Sequence, residues 1–233
     1  MKQENSLSIF NNFNNPQILA HFITKKNNDG INKVLSSKFN SYSLKKNILI
    51  VPMQKHTTNV ILSNSAGVFE ECDGVFTMNP KIVCSIKVAD CMPIYFAHKN
   101  KTVYGIIHAG WRGLINGIIK QTALLLNNSK HNLKNFDIII GPSIQNCCFE
   151  IGIDVADKFP KKYLKLKKNR KYQVNLQNIA FDYLIKVGFL KEAIHITPDC
   201  TFCMEDNYWS YRRFQGTTDR MIGLIGYRTS IKN

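Results

Sequence analysis

The scarcities of this 233-residue chain narrow the field first. Acidic residues are scarce, 16 against 31 Lys and Arg, which leaves a formal net charge of +15. Prolines number seven and tryptophans two. No run of about 18 apolar residues occurs, so a transmembrane helix is not expected. The N-terminus, MKQENSLSIFNNFNN, is polar and Asn-rich and lacks the charged-then-apolar pattern of a secretory leader. A cytoplasmic protein that makes no use of a membrane is the expectation. No internal repeat and no Gly, Pro or Ser-rich linker divides the sequence. One domain over residues 1–233 is expected, with residues 1–15 poorly ordered or peripheral.

The excess of positive charge raises nucleic acid as a partner, because clustered Lys and Arg neutralise phosphates and release counterions. The densest cluster is KKYLKLKKNRK at 161–171, with seven positive charges. Runs of like charge are usually solvated faces, and Lys, Asn and Ile are abundant throughout. Nucleic acid is therefore not the expected partner, and a polyanion-binding module remains the non-enzymatic alternative. Seven cysteines, an odd number at irregular spacing, suggest reduced thiols and ligands rather than a disulfide framework.

What is present is a set of short apolar, β-branched runs. Residues 82–89, 93–97 and 102–107 flank the polar His98-Lys99-Asn100-Lys101 and predict a β-hairpin. With Lys99 and Asn100 at the tip, Cys91 faces His108 across the ladder, near enough for both to bind one metal ion. Pro93 cannot donate to a ladder and implies an edge strand or a bulge there. Other strands are expected at 48–51, 59–62, from Gly74, 136–140, in IHITPDC, and from Met221 after a turn at Gly216. Residue 16 onward forms a short strand or helix, and NNDG and SSKFNSYSLKKN are loop-like. Apolar residues at 114, 115, 118, 119, 123, 125 and 126 predict a helix after a Gly110–Gly113 turn. A second helix over VNLQNIAFDYLIKVGF ends at Gly188. Strands outnumber helices without βαβ alternation, which indicates an α+β fold.

Three residues near turns could ligate a metal: His56, Cys91 and His108. Two His and one Cys are ligands that zinc favours, and three protein ligands leave a fourth position for water or substrate. A single His near a strand end is also commonly a hydrogen-bonded structural residue, so spacing alone leaves both readings open. Arg112, in the turn ahead of the helix, could bind an anion such as phosphate, or pair with a local carboxylate. Cys147 and Cys148, as neighbours on an extended chain, would point to opposite faces. The C-x-x-C at 200–203 lacks a second pair and is discounted as a metal motif. The segment 199–220 interleaves aromatics with Arg212, Arg213 and Arg220, which suits stacking on a planar ring while neutralising an anion.

Taken together and in order, ADCMP, HAGWRGL, GPSIQNCCFEIG and SYRR followed by TDRMIGLI resemble the laccase-domain family, known also as multicopper polyphenol oxidase, peptidoglycan-editing factor or purine nucleoside phosphorylase. The resemblance covers roughly residues 50–225. It implies a single zinc held by His56 of a Q-x-H-x-x-x-V stretch, Cys91 of A-D-C-x-P and His108 of H-A-G-W-R-G, with copper as the alternative metal. It also implies an α-β-β-α sandwich like that of toxin-type cysteine hydrolases. The implied activity is phosphorolysis of adenosine, inosine and methylthioadenosine, with adenosine deamination as a second reaction. The chain departs from the family pattern at 25–43 and at Gln145 and Asn146.

On this reading Asp90 or Glu150 handles a proton, Gln54 orients the reacting group, Arg112 and Arg212 bind phosphate or ribose, and Trp209 stacks the purine. A cysteine amidohydrolase acting on peptidoglycan precursors, with Cys91 activated by His108, is the alternative enzyme. A multicopper centre would need more than the six histidines present could supply.

Overall fold

The longer β-branched runs, 83–88, 92–98, 104–109 and 136–140, fold as strands that bury both faces. A computed structural model of the chain describes residues 3–4, 7–10, 13–25, 48–168, 170–215 and 219–228. In chain order the described strands are β1 (Gln3–Glu4), β2 (Leu7–Phe10), β3 (Ile18–Ile23), β4 (Leu49–Pro52), β5 (Val60–Leu62), β6 (Gly67–Phe69), β7 (Gly74–Thr77) and β8 (Val83–Val88). They continue with β9 (Met92–His98), β10 (Tyr104–Ala109), β11 (Phe136–Ile140), β12 (Glu150–Ile151), β13 (Leu164–Leu166), β14 (Tyr172–Val174), β15 (Ile194–Ile196) and β16 (Met221–Tyr227). The described α-helices are α1 (Trp111–Asn116), α2 (Ile118–Asn128), α3 (Ile153–Ala156) and α4 (Leu176–Val187).

The first sheet runs β1-β2-β3-β16-β8-β4-β6, the second β15-β11-β9-β10-β7-β5, and a small third sheet β12-β14-β13. Alternation along the strands shows how the two large sheets stack. On β9, Tyr95 and Ala97 join Cys84, Ile86 and Ile225 of the first sheet in one buried cluster. Ile94 and Phe96, one residue out of phase, pack instead with Ile118, Leu126, Ile179 and Leu184 of α2 and α4. Each of these fully buried side chains contributes about 1.5–3 kcal/mol. The Tyr95 hydroxyl, inside the inter-sheet layer, donates to the His21 carbonyl at 3.1 Å and so needs no water. The outer face of the first sheet buries Leu19, Leu49, Val83 and Leu224. The described chain is thus a mixed α+β fold of sheet, sheet and helices. The further helical layer of an α-β-β-α sandwich is not formed by any described residue. Segment 1–15 supplies β1 and β2 at the edge of the first sheet, with Phe10 and Phe13 buried.

Two expectations about the hairpin need correction. Its register pairs Ala97 with Tyr104 and His108 with Pro93, two residues away from a tip at Lys99-Asn100. The ring of His98 accepts from the backbone N–H groups of both Asn100 and Lys101 at 3.1 Å, and this draws the turn one residue onward. Nor does Pro93 mark an edge or bulge. β9 is a central strand, its pairing with β10 is unbroken from Met92 to Ala109, and its ladder to β11 begins only at Ile94. Pro93 therefore occupies the start of the strand, where its missing N–H costs no ladder bond.

The helix expected after the Gly110–Gly113 turn begins within it, at Trp111, and is split in two by Gly117. Gly117 has φ +100°, a left-handed conformation that ends one helix and opens the next. The second helix closes on Gly188 as expected, with Asn175 capping its start by accepting from the Asn178 N–H. The loops expected at 27–30 and within 36–47, and the turn at Gly216, lie outside the described residues. So do nearly all of the departures at 25–43.

Candidate metal centre and its cavity

The site lies where the two stacked sheets exchange strands. The chain leaves the first sheet at Val88, turns through Ala89-Asp90-Cys91, and enters the second at Met92. Asp90 makes this turn with φ +76°. Its carboxylate accepts from the Thr201 hydroxyl at 2.7 Å, the Ser210 hydroxyl at 3.0 Å and the Arg212 N–H at 2.8 Å. Those three bonds hold the left-handed turn and aim Cys91 into a cavity.

His108 reaches the same cavity from the end of β10, and His56 from the loop after β4, where it too has positive φ, +59°. The loop is held by one carboxylate. Asp73, fully buried, accepts from the backbone N–H groups of Lys55, His56 and Thr57 at 3.1, 3.1 and 2.7 Å, and from the Thr57 hydroxyl at 2.8 Å. Its Oδ1 also lies 2.7 Å from Nδ1 of His108. Gln54 closes the other side, donating to the Lys87 carbonyl and accepting from the Lys87 N–H, both at 2.8 Å. Its amide thus extends the ladder and positions the loop.

Gly110 faces Cys91 across the extended hairpin register, and a side chain there is impossible without rearrangement. A Cβ would fall 2.9 Å from both Cys91 Sγ and His56 Cδ2.

The donor set fits a metal. Sγ of Cys91 and Nε2 of His56 are 3.9 Å apart, and the ligand atoms of His56, Cys91 and His108 all lie within 4.8 Å of one another. Tetrahedral bonds of about 2.0–2.3 Å place ligand atoms about 3.3–3.8 Å apart, so a small inward movement suffices. Asp73 takes Nδ1 of His108 and leaves Nε2 for an ion, the carboxylate–histidine arrangement common behind metal ligands. Three ligands from three separate segments leave one tetrahedral position open.

Electrostatics favour a cation at this point. Burial pushes the Cys91 thiol up, but the charge of His108 and hydrogen bonds from His108 and His56 outweigh it and bring it down to about 6. Burial disfavours the His108 cation, yet the Cys91 thiolate and the Asp73 carboxylate raise it to about 9. Burial would raise Asp73 as well, and the bonds from His108 and Thr57 hold it at about 2. The centre is therefore anionic apart from whatever proton His108 carries, and a divalent ion can take that proton's place.

The surrounding cavity has a volume of about 590 Å³, within the usual range of small-ligand pockets. Lys87, Arg112, Arg212 and Arg220 contribute positive charge to its wall, and Trp111, Phe149 and Tyr211 contribute aromatic surface. The Arg112 guanidinium lies 4.5 Å from the centre of the Trp111 ring, and Arg212 spans from the Phe149 ring at 5.3 Å to the Glu150 carbonyl at 2.8 Å.

Of the residues expected here, Gln54, His56, Asp90, Cys91, His108, Arg112 and Arg212 line the cavity. Trp209 does not. It packs edge-on against Phe214 and beneath the ammonium of Lys25, facing the inter-sheet core. Glu150 also lies outside the lining, its carboxylate 3.9 Å from Lys167. Sequence reasoning missed Asp73, Lys87 and Tyr211. No motif marks Asp73, because its partners are backbone N–H groups 16–18 residues earlier and a ring 35 residues later. The basic run 161–171 sits on the small sheet, away from this lining, and two of its lysines face Asp182 and Glu150.

The family model described as multi-copper polyphenol oxidoreductase laccase matches residues 23–228. A Haemophilus influenzae protein named purine nucleoside phosphorylase is 34% identical over 184 residues, 75% of this chain and 72% of that one. The Geobacillus stearothermophilus purine nucleoside phosphorylase YlmD is 31% identical over 164 residues, 67% of this chain and 60% of its own length. Among solved structures, Geobacillus stearothermophilus YlmD superposes with a TM-score of 0.90 at 22% identity, covering 98% of both chains. Bacillus licheniformis YfiH gives 0.84 at 23% identity, covering 90% of this chain and 92% of its own.

Proposed function

Because the chain belongs to the multi-copper polyphenol oxidoreductase laccase family, with curated relatives named purine nucleoside phosphorylase, we propose that it is a zinc-dependent purine nucleoside phosphorylase. The observation that carries this reading is one cavity joining the His56, Cys91 and His108 donors to four cationic side chains and three aromatic ones. Cations answer the phosphate and aromatics answer the purine.

In the proposed reaction a phosphate oxygen forms a bond to C1′ of the ribose as the glycosidic C–N bond breaks. The base leaves with that electron pair and takes up the proton that the phosphate gives up on becoming an ester, and ribose 1-phosphate remains. Arg112 and Arg212 neutralise and orient the phosphate, with Lys87 and Arg220 adding to the positive wall. Tyr211 and Phe149 take the stacking role first assigned to Trp209. Asp90, with both oxygens engaged, holds the turn beneath Cys91 and the Arg212 backbone rather than carrying protons. Zinc held by the three donors would supply Lewis acidity and lower the pKa of its water. Adenosine, inosine and methylthioadenosine are the proposed substrates, and adenosine deamination, with water adding at the amine-bearing carbon and ammonia leaving, is a proposed second reaction of the same site. Seven free thiols suit a reducing compartment such as the cytoplasm.

The test is incubation of zinc-loaded protein with adenosine and phosphate, scoring adenine, inosine and ribose 1-phosphate separately. Phosphate-dependent adenine with an equal amount of ribose 1-phosphate is expected. No phosphate-dependent base release from any of the three nucleosides would sink the proposal.

One observation favours a second reading. Cys91 with its depressed pKa, His108 and Asp73 are arranged as nucleophile, base and orienting carboxylate, as in a cysteine amidohydrolase. Metal removal separates the two. The phosphorylase loses activity with its zinc, whereas the hydrolase keeps it and is stopped by alkylation of Cys91.

A further inference from the structure

Four thiols from two distant loops meet on the far side of the Asp90 turn. Sγ of Cys147 lies 3.6 Å from that of Cys200 and 3.7 Å from that of Cys203, while Sγ of Cys148 lies 3.6 Å from Cys147 and 3.3 Å from Cys203. All four sulfurs fall within 4.8 Å of one another. This corrects both sequence expectations about these cysteines. Residues 146–148 form a turn, with the N–H groups of Cys148 and Phe149 donating to the Gln145 carbonyl at 3.0 and 2.9 Å, so adjacent side chains can share one side. The missing partner of the 200–203 pair is the adjacent pair 147–148.

We infer that Cys147, Cys148, Cys200 and Cys203 form a second, structural metal site that holds one zinc ion through four thiolates. Four of the six sulfur–sulfur separations are 3.3–3.7 Å and the other two lie within 4.8 Å, a spread that a small inward movement brings to a tetrahedron around one soft ion. Zinc–sulfur bonds of about 2.3 Å put tetrahedral sulfurs about 3.8 Å apart, close to the four separations above. Disulfides would need about 2.05 Å, and none of these thiols is bonded. An iron–sulfur cluster would place an inorganic core between the sulfurs and spread them beyond the observed span. The outer contacts also match. Cys200 Sγ accepts from the Gln145 N–H at 3.4 Å and from the N–H groups of Phe202 and Cys203, the backbone turn that a C-x-x-C makes around a bound ion and that offsets thiolate charge. Arg213 donates to the carbonyls of Thr201 and Phe202 between the two cysteines and adds a positive charge beside them.

The site's place in the fold gives it a purpose. Thr201, inside the C-x-x-C, donates to Asp90, and Phe149, next to Cys148, lines the cavity. A metal joining the two loops would fasten the floor of the Cys91 turn to the wall that carries Arg212. Closed four-thiolate zinc sites contribute folding energy in this way.

The test uses intact protein. Zinc-loaded wild type is expected to carry two zinc equivalents by native mass spectrometry, and Cys91→Ala, altered only at the other centre, is expected to retain one. Cobalt replacement in wild type should give thiolate charge-transfer absorption about five times that of a single-thiolate centre, counting four sulfurs plus Cys91. Cys203→Ser should lose most of it and keep the Cys91 contribution. The inference is overturned if cobalt-loaded wild type shows charge transfer from one thiolate only, abolished by Cys91→Ala, or if intact mass shows the four cysteines oxidised in pairs. Because the wild-type spectrum decides between these outcomes, a serine variant that fails to fold does not rescue or sink the inference.

Discussion

Asp73 Oδ1 sits 2.7 Å from Nδ1 of His108, and the same carboxylate collects three backbone N–H groups of the loop that carries His56. One buried side chain therefore sets the orientation of two of the three donors and leaves Nε2 of His108 facing Cys91. Asp73→Asn keeps the shape and removes the charge. A loss of about 10–100-fold in zinc affinity is expected, measured by competition with a chromogenic chelator, with circular dichroism unchanged. Unaltered affinity would show that the pair only supports the loop.

Gly110→Ala places a methyl group where Cys91 and His56 converge. Metal binding and activity should be lost together, while the denaturation midpoint of metal-free protein changes little, because the clash is with the tips of Cys91 and His56, which can swing within the cavity, rather than with the core. Metal stoichiometry measured beside a urea unfolding curve checks this.

The thiol and imidazole at the centre set a pH window. The folded pKa of Cys91 is depressed from 9.0 to about 6, so its stabilising contribution is present above 9 and is lost as pH falls through about 6. The folded pKa of His108 is raised from 6.5 to about 9, so its contribution is present below 6.5 and is lost as pH rises through about 9. In metal-free protein the ion pair persists between about 6 and 9. Alkylation of Cys91, followed by peptide mapping, should reach half its maximal rate near pH 6. In His108→Ala that midpoint should move up toward the ordinary thiol value.

Arg112→Ala removes a cation from the cavity wall without touching the three metal donors. If it binds phosphate, the KM for phosphate should rise about 10–100-fold, the equivalent of the 1.5–3 kcal/mol of a charged hydrogen bond, with the KM for nucleoside changed far less. Equal effects on both would place the residue outside the phosphate subsite.

Much of the site was legible because its donors sit in local signals. His56, Cys91 and His108 each adjoin a turn at the end of an apolar run, and ADCMP and HAGWRG announce themselves as short motifs. The strands at 48–51, 136–140 and 221–227 and the helix ending at Gly188 were equally readable, since period and cap are properties of neighbours in sequence. The hairpin register was not, because the ring of His98 bonding the turn is a side-chain choice that no periodicity records.

Sequence alone determined which residue types could carry the chemistry, because thiolate, imidazole and guanidinium are fixed by identity and strands by local patterning. Tertiary structure alone decided the company they keep. It brought Asp73 under His108, turned Trp209 toward the core and set Tyr211 in the cavity. It also closed Cys147 and Cys148 on Cys200 and Cys203, although 52 residues separate Cys148 from Cys200. The reason is physical: hydrogen bonds and metal geometry act over a few ångströms of space. Only the stacking of two sheets, driven by burial of their facing side chains, converts distant positions in the chain into neighbours at that range.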